Sequence, residues 1–160
     1  MPDPAMLSHF NFAVHIELSG LGGDEGLALG NRRGAFSEVQ GLEITLEPVS
    51  LREGGYNRGA RQLVGKTTNP PLILKRGLSL DPAFWTWVQR CIDGTFPLPY
   101  VSGTIRVLQA DSSAPDAGVW RFENGIVTKV KSADLNAGNA REVPLEELHI
   151  VHEGLSRELT

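Results

Sequence analysis

The chain has 160 residues, a net charge of −4, 41% hydrophobic and 21% charged residues, the balance of a single globular domain that buries about two thirds of its unfolded surface. This excludes a disordered chain, and with no apolar run near the roughly 18 residues that cross a bilayer, membrane insertion by the monomer is not expected. The acidic balance without a basic block disfavours sequence-specific nucleic-acid binding, and one cysteine, Cys91, excludes an internal disulfide framework or a cysteine-rich zinc site.

The N-terminus, MPDPAMLSHF, lacks the basic-then-apolar order of a secretory signal, so folding in the cytoplasm is expected, with residues 1–8 flexible. In FNFAVHIEL, Phe10, Phe12, Val14, Ile16 and Leu18 alternate with Asn11, Ala13, His15 and Glu17, the period of a half-buried strand. Six glycines in the following sixteen residues forbid regular structure and predict a long loop over 19–34. Leu42, Ile44 and Leu46 alternate with Glu43, Thr45 and Glu47, predicting a second half-buried strand with a tight bend at Gly41. The stretch SLREGGYNRG, Ser50–Gly59, offers almost nothing to a core. A loop is expected there, over 48–66. Pro70 and Pro71 cannot donate to a ladder, so LILKRGLSL begins its strand after them.

Residues 81–93 predict the one clear helix, with Asp81 at the N-cap, Pro82 in the first turn and Gly94 past the end. Phe84, Val88 and Ile92 fall on one face flanked by Trp85 and Cys91, and burying those three side chains contributes about 2 kcal/mol each before entropy. VSGTIRVLQA predicts a further strand. VWRFENGIVTKVK predicts two strands joined in a hairpin at Asn124-Gly125, and PLEELHIVHEGL a last strand. Six or seven strands and one helix at hairpin-like spacing imply a single mainly β domain over 1–160, an antiparallel β-barrel or β-sandwich.

Candidate chemistry is weaker than its structural explanation at each position. The glycines of GLGGDEG miss the dinucleotide-binding spacing, and Gly65-Lys66-Thr67 lacks both the upstream glycine and the helix of a phosphate-binding loop. His149 and His152 stand near Glu147 and Glu153, but three residues apart on a strand they point to opposite faces, so no metal site is expected. Cys91 sits beside core positions of the helix and reads as a buried thiol. Glu17, Glu43, Glu47, Glu147 and Glu153 read as the solvated alternates of half-buried strands. No catalytic, metal or cofactor site is expected.

The segments FSEVQGLE, REGGYN, LILKRGL followed by DPAFWTWV, and HEGL occur in that order, between an FNF opening and with the tryptophan of VWRF, from Phe10 to Leu155. This combination resembles the tail-tube protein family of contractile phage tails and phage-tail-like injection systems. The resemblance implies a small antiparallel β-barrel or β-sandwich with one helix, similar to siphophage tube proteins and the ring-forming component of type VI secretion. It implies a structural subunit with no catalysis and no cofactor: six copies close into a ring, and rings stack helically into a hollow tube. The implied partners are further copies of the chain, a surrounding sheath, baseplate or spike and terminator proteins, and cargo in the lumen, protein or DNA. The implied location is a tail-like particle or virion tail assembled in the bacterial cytoplasm.

By the same resemblance, 48–66 is an inter-subunit loop. Arg52, Glu53, Gly54, Gly55, Tyr56, Asn57 and Arg58 are its contact residues between subunits or rings, with Arg52 and Glu53 placed to form ion pairs. The 19–34 segment is longer than the family usually carries. Two other readings stay open: a baseplate-proximal adaptor that initiates the tube, and a monomeric β-barrel binding protein or enzyme using the carboxylates.

Overall fold

The computed structural model describes residues 11–18, 36–78, 82–94, 96–109, 115–132 and 144–158. The predicted loop 19–34, the N-terminal residues 1–8 and the N-cap at Asp81 lie outside them. The described residues form nine strands and one helix, more strands than the sequence reading counted: β1 (Asn11–Leu18), β2 (Glu38–Gln40), β3 (Thr45–Leu51), β4 (Arg61–Thr68), β5 (Leu72–Gly77), α1 (Pro82–Asp93), β6 (Val101–Leu108), β7 (Gly118–Lys131), β8 (Leu145–Val151) and β9 (Gly154–Glu158). As expected, the fold is mainly β.

Seven strands make one antiparallel sheet in the order β1-β6-β7-β8-β5-β2, with β9 also on β7. It is not a closed barrel, since β1 and β2 are the two ends of the path. The buried side chains of its far ends, Val14 and Ile16 of β1 and Leu72 and Leu74 of β5, nevertheless belong to one core with Ile105, Phe122, Leu148 and Ile150. The sheet therefore folds over on itself, and its inward alternates face one another.

The fold turns at β7. The Asn124-Gly125 pair, which predicts a hairpin, lies instead inside this uninterrupted 14-residue strand. Residues 118–125 pair with β6, residues 119–123 with β9, and 126–131 with β8. The β6 register slips by one residue between Val101 and Gly103, and Asn124 takes φ of 50°, so the pair forms a bulge that bends the strand from one half of the sheet into the other. A Cβ on Gly125 would stand 2.7 Å from Ile150 Cγ2, so the corner is too crowded for a side chain. The predicted last strand likewise divides at His152-Glu153 into β8 and β9.

The helix closes the fold with Phe84, Trp87 and Val88 buried and Cys91 half-buried. Ile92, predicted on the core face, is 72% exposed. At about 100° per residue, Phe84, Val88, Cys91 and Trp87 form one stripe, and Ile92 falls past its edge on the side away from Trp87. The Trp87 indole nitrogen donates to Pro99 O at 3.1 Å, which satisfies the one polar atom that burial would orphan.

The second predicted strand is also corrected. Leu42 packs against the core, but the chain is irregular from Gly41 to Ile44, and Ile44 and Leu46 are exposed. The bend at Gly41 is real: φ is +87°, and a Cβ would stand 2.2 Å from Pro71 O. Beyond it the chain leaves the body of the protein.

Candidate functional site

Strands β3 and β4 form a separate two-stranded sheet that packs on no other strand or helix of the described structure. Most of the segment read as a loop over 48–66 is thus hairpin, and its irregular part is 52–60. The hairpin forms because the chain here is rich in β-branched and hydroxyl residues on both arms, whereas glycine and charge concentrate at the tip. Leu51 stands opposite Arg61, Val49 opposite Leu63 and Pro48 opposite Val64. The register slips between Leu46 and Pro48. Ser50 Oγ donates to Gln62 Oε1 at 3.0 Å across the pair.

Cross-strand partners share a face, so Val49, Leu51 and Leu63 stand on one side and Pro48 and Val64 on the other. All of these hydrophobic side chains except Pro48 are among the large exposed ones, and Val64 reaches 81% exposure. Two apolar faces and no core make this an unusual surface for a monomer. Sequence reasoning missed it because the alternation of β3 looks the same as that of a half-buried strand.

The predicted contact residues Arg52 to Arg58 lie together at the tip. Glu53 is engaged within the chain: Arg61 Nε sits 3.1 Å from Glu53 Oε2, and its guanidinium lies 5.5 Å from the Tyr56 ring centre. Tyr56 N donates to Glu53 O at 3.3 Å, which tightens the turn. Gly55 takes φ of +91°, whereas Gly54 has open space around its Cβ position and no such conformation. Arg52, Asn57 and Arg58 are exposed.

The folded sheet presents two polar faces. On the first, His15, Thr104, Arg121 and Ser156 form one row across β1, β6, β7 and β9. Local pairs hold it: His15 Nε2 to Glu17 Oε1 at 2.6 Å, Arg121 Nε to Glu158 Oε1 at 2.8 Å and Asn124 Nδ2 to Glu153 Oε2 at 2.8 Å. Of these, His15, Glu17, Thr104, Arg121 and Asn124 border a shallow groove. On the second face, the row Glu38, Lys75, Glu147, Lys131 alternates in sign across β2, β5, β8 and β7. Lys75 Nζ lies 3.0 Å from Glu38 Oε2 and, by this hydrogen bond first, holds that carboxyl below its ordinary range.

Neither face assembles a reaction centre. Among the described residues no three histidines, cysteines or carboxylates converge as metal ligands. His149 Nε2 lies 3.5 Å from Glu147 Oε2, and His152 is turned away from it, buried beside Phe122 with Nδ1 3.1 Å from Gly154 O. Burial pushes the Cys91 thiol up, the wrong direction for a nucleophile. What the described residues offer is surface for contact: a two-faced hairpin and sheet edges that no other described strand pairs.

Residues 8–156 match the model of the family described as T4-like virus tail tube protein gp19. No curated protein sequence matches the chain. Among solved structures, the fold is similar to one in the tube-terminating cap of the anti-feeding prophage, with a TM-score of 0.72, 15% identity and coverage of 100% of this chain and 95% of that one. A chain from the sheath–tube complex of an extracellular contractile injection system, PVC, in its extended state gives 0.70 at 17% identity, covering 100% and 95%. Hcp1 from Salmonella typhimurium gives 0.54 at 11% identity, covering 93% and 87%. At such identities the likeness is one of fold.

Proposed function

Because this chain belongs to the T4-like virus tail tube protein family, we propose that it is the repeating subunit of the inner tube of a contractile, phage-tail-like injection particle. As a tail tube protein it is a structural subunit and not an enzyme. Six copies close into a ring and rings stack helically into a hollow tube. A sheath surrounds the tube, and baseplate and terminator proteins bound its ends. The lumen passes a protein or DNA cargo. The tube is built in the producing cell and works as part of a tail-like particle.

The observation that carries this reading is the family match over nearly the whole chain. The structure supports it physically. Four strand segments, β1, β6, the first half of β7 and β9, form a unit whose outward row is polar, from His15 to Ser156. Among the described residues, β1 and β9 each pair on one side only. Pairing such edges between copies closes a ring and removes them as aggregation sites, and it leaves a wet, mixed-charge face suited to a lumen. The hairpin tip, Arg52 to Arg58, is the contact between subunits or rings, with Arg52 and Arg58 free to reach carboxylates of a neighbour and form bidentate pairs.

Negative-stain electron microscopy of the purified full-length protein tests this. Rings or tubes of uniform width are expected. A persistent monomer at high concentration would overturn the assignment of a self-assembling tube subunit.

A further inference from the structure

We propose that His152 is an acid-operated latch on the root of the β3–β4 hairpin: as a neutral ring it seals the corner where the hairpin joins the body, and as a cation it lets that root open. The latch is a property of the single chain, and only its effect on assembly rests on the tube reading.

Among the described elements the hairpin packs only on itself, so its direction is set where its two legs leave the body. Both legs meet at Pro70-Pro71. On the β3 side, Gly41 crosses so closely that a Cβ there would stand 2.2 Å from Pro71 O. On the β4 side, the β5–β8 ladder ends with Leu72 opposite Ile150, and the same register carried on sets Pro70 opposite His152. The two prolines have no N–H with which to extend that ladder. A side chain stands there instead. The Pro70 carbonyl faces the imidazole of His152. That residue is 8% exposed, its ring centre is 6.1 Å from that of Phe122, and its Nδ1 lies 3.1 Å from Gly154 O. One ring thus joins β7, the start of β9 and the hairpin root.

Nδ1 carries the proton of the neutral ring, since the Gly154 carbonyl can only accept. Nε2 is buried without a hydrogen-bond partner, and so is Asn69 Oδ1, one residue before Pro70. Protonation turns Nε2 into a charged donor inside this corner. Burial outweighs the Gly154 and Pro70 carbonyls and lowers the pKa of the closed form, so acid favours a form in which the ring reaches water. The charged groups of the surrounding elements are engaged or turned outward. Glu153 accepts from Asn124 Nδ2 at 2.8 Å, Glu158 pairs with Arg121, and Arg157 lies over Trp120. Lys75 and Arg76 of β5 hold Glu38 and Glu146, and His149 sits by Glu147 on the other face of β8. Glu43, Lys66 and Glu123 are exposed.

Hydrogen exchange of the dilute full-length protein, read by mass spectrometry at pH 7.5 and 5.5 and corrected for the intrinsic pH dependence of exchange, tests the latch. Peptides over residues 61–72 and 150–156 are expected to exchange about threefold or more faster at the lower pH, while β1 and β6 keep their protection. His152→Gln, neutral at both pH values, is expected to remove the difference, and His152→Leu is the second neutral variant should the first fold poorly. An unchanged root at pH 5.5, an equal acid effect in the neutral variants, or a loss spread evenly over all strands overturns the proposal. Pelleting of preformed tubes reads the consequence: at pH 5.5 wild type is expected to release subunits and His152→Gln to stay assembled. Tubes that persist while the root loosens overturn the effect on assembly. Absence of tubes at either pH overturns the tube reading, and the latch then stands or falls by the exchange of the single chain.

Discussion

Arg76 and Glu146 stand directly opposite each other on β5 and β8, Nε to Oε2 at 3.0 Å, both inside the core at 7% and 2% exposure. The guanidinium lies 4.0 Å from the centre of the Phe84 ring, so this pair ties the sheet to the helix. Arg76 Nη2 and Glu146 Oε1 have no hydrogen-bond partner, so the desolvation of the pair is incompletely offset. Glu146→Ala is expected to cost about 3–5 kcal/mol, because it strands a buried cation. The double replacement Arg76→Met with Glu146→Leu is expected to be far milder, near neutral or stabilising. Urea unfolding of both variants checks this. Equal losses would show that the pair is held by more than its charge balance.

His152 is buried at the corner between β8 and β9, and burial, outweighing its bond to Gly154 O, lowers its pKa from the ordinary 6.5. The unfolded chain therefore takes up the proton first as pH falls. Stability from this group is full above the unfolded value near 6.5 and declines as pH drops through it toward the folded value. The urea midpoint of wild type is expected to fall between pH 7.5 and 5.5, and to fall less in His152→Gln. An equal fall in both proteins would assign the effect to other groups.

Gly41→Ala places a methyl group against Pro71 O in a left-handed backbone conformation. A loss of about 2 kcal/mol or more is expected from strain and displacement of the Pro71 backbone. Gly54→Ala meets open space, and its monomer stability should stay within about 0.5 kcal/mol of wild type. Thermal or urea unfolding of the two variants side by side checks the contrast.

At the hairpin tip, Arg52→Glu changes an exposed residue and should leave the fold intact while reducing the yield of sedimenting tubes. Glu53→Arg sets two cations together at the Arg61 position, and should reduce tube yield with a small effect on stability, since exposed pairs are worth about 0–1 kcal/mol. Normal tube yield from both variants would remove the tip from the subunit interface.

Much of the fold was legible from local patterns. Alternation placed β1, extended apolar runs placed β5, β6 and β8, and Asp81, Pro82, Gly94 and the apolar spacing between them located the helix. The period of two also put Arg76 in register with Leu72 and Leu74, and Glu146 with Leu148 and Ile150, so the buried pair was readable in principle. The tip residues 52–58 were legible as a cluster by their glycine and charge. The Asn124-Gly125 pair announced a residue with positive φ but not its use, since the same torsion serves a chain reversal or a bulge.

What the sequence by itself determined is therefore local: which side chains share a face, where a helix can start and stop, and where the backbone must bend. Tertiary structure alone decided what each face meets. Leu74 and Leu63 both sit in alternating, extended segments, yet the first is fully buried and the second exposed, because β5 lies between β8 and β2 while β4 has, among the described residues, only β3 beside it. Burial depends on partners brought together from distant parts of the chain, and no spacing within a segment carries that information. The two faces of the hairpin are surfaces of this kind, defined by the neighbours the fold withheld from them.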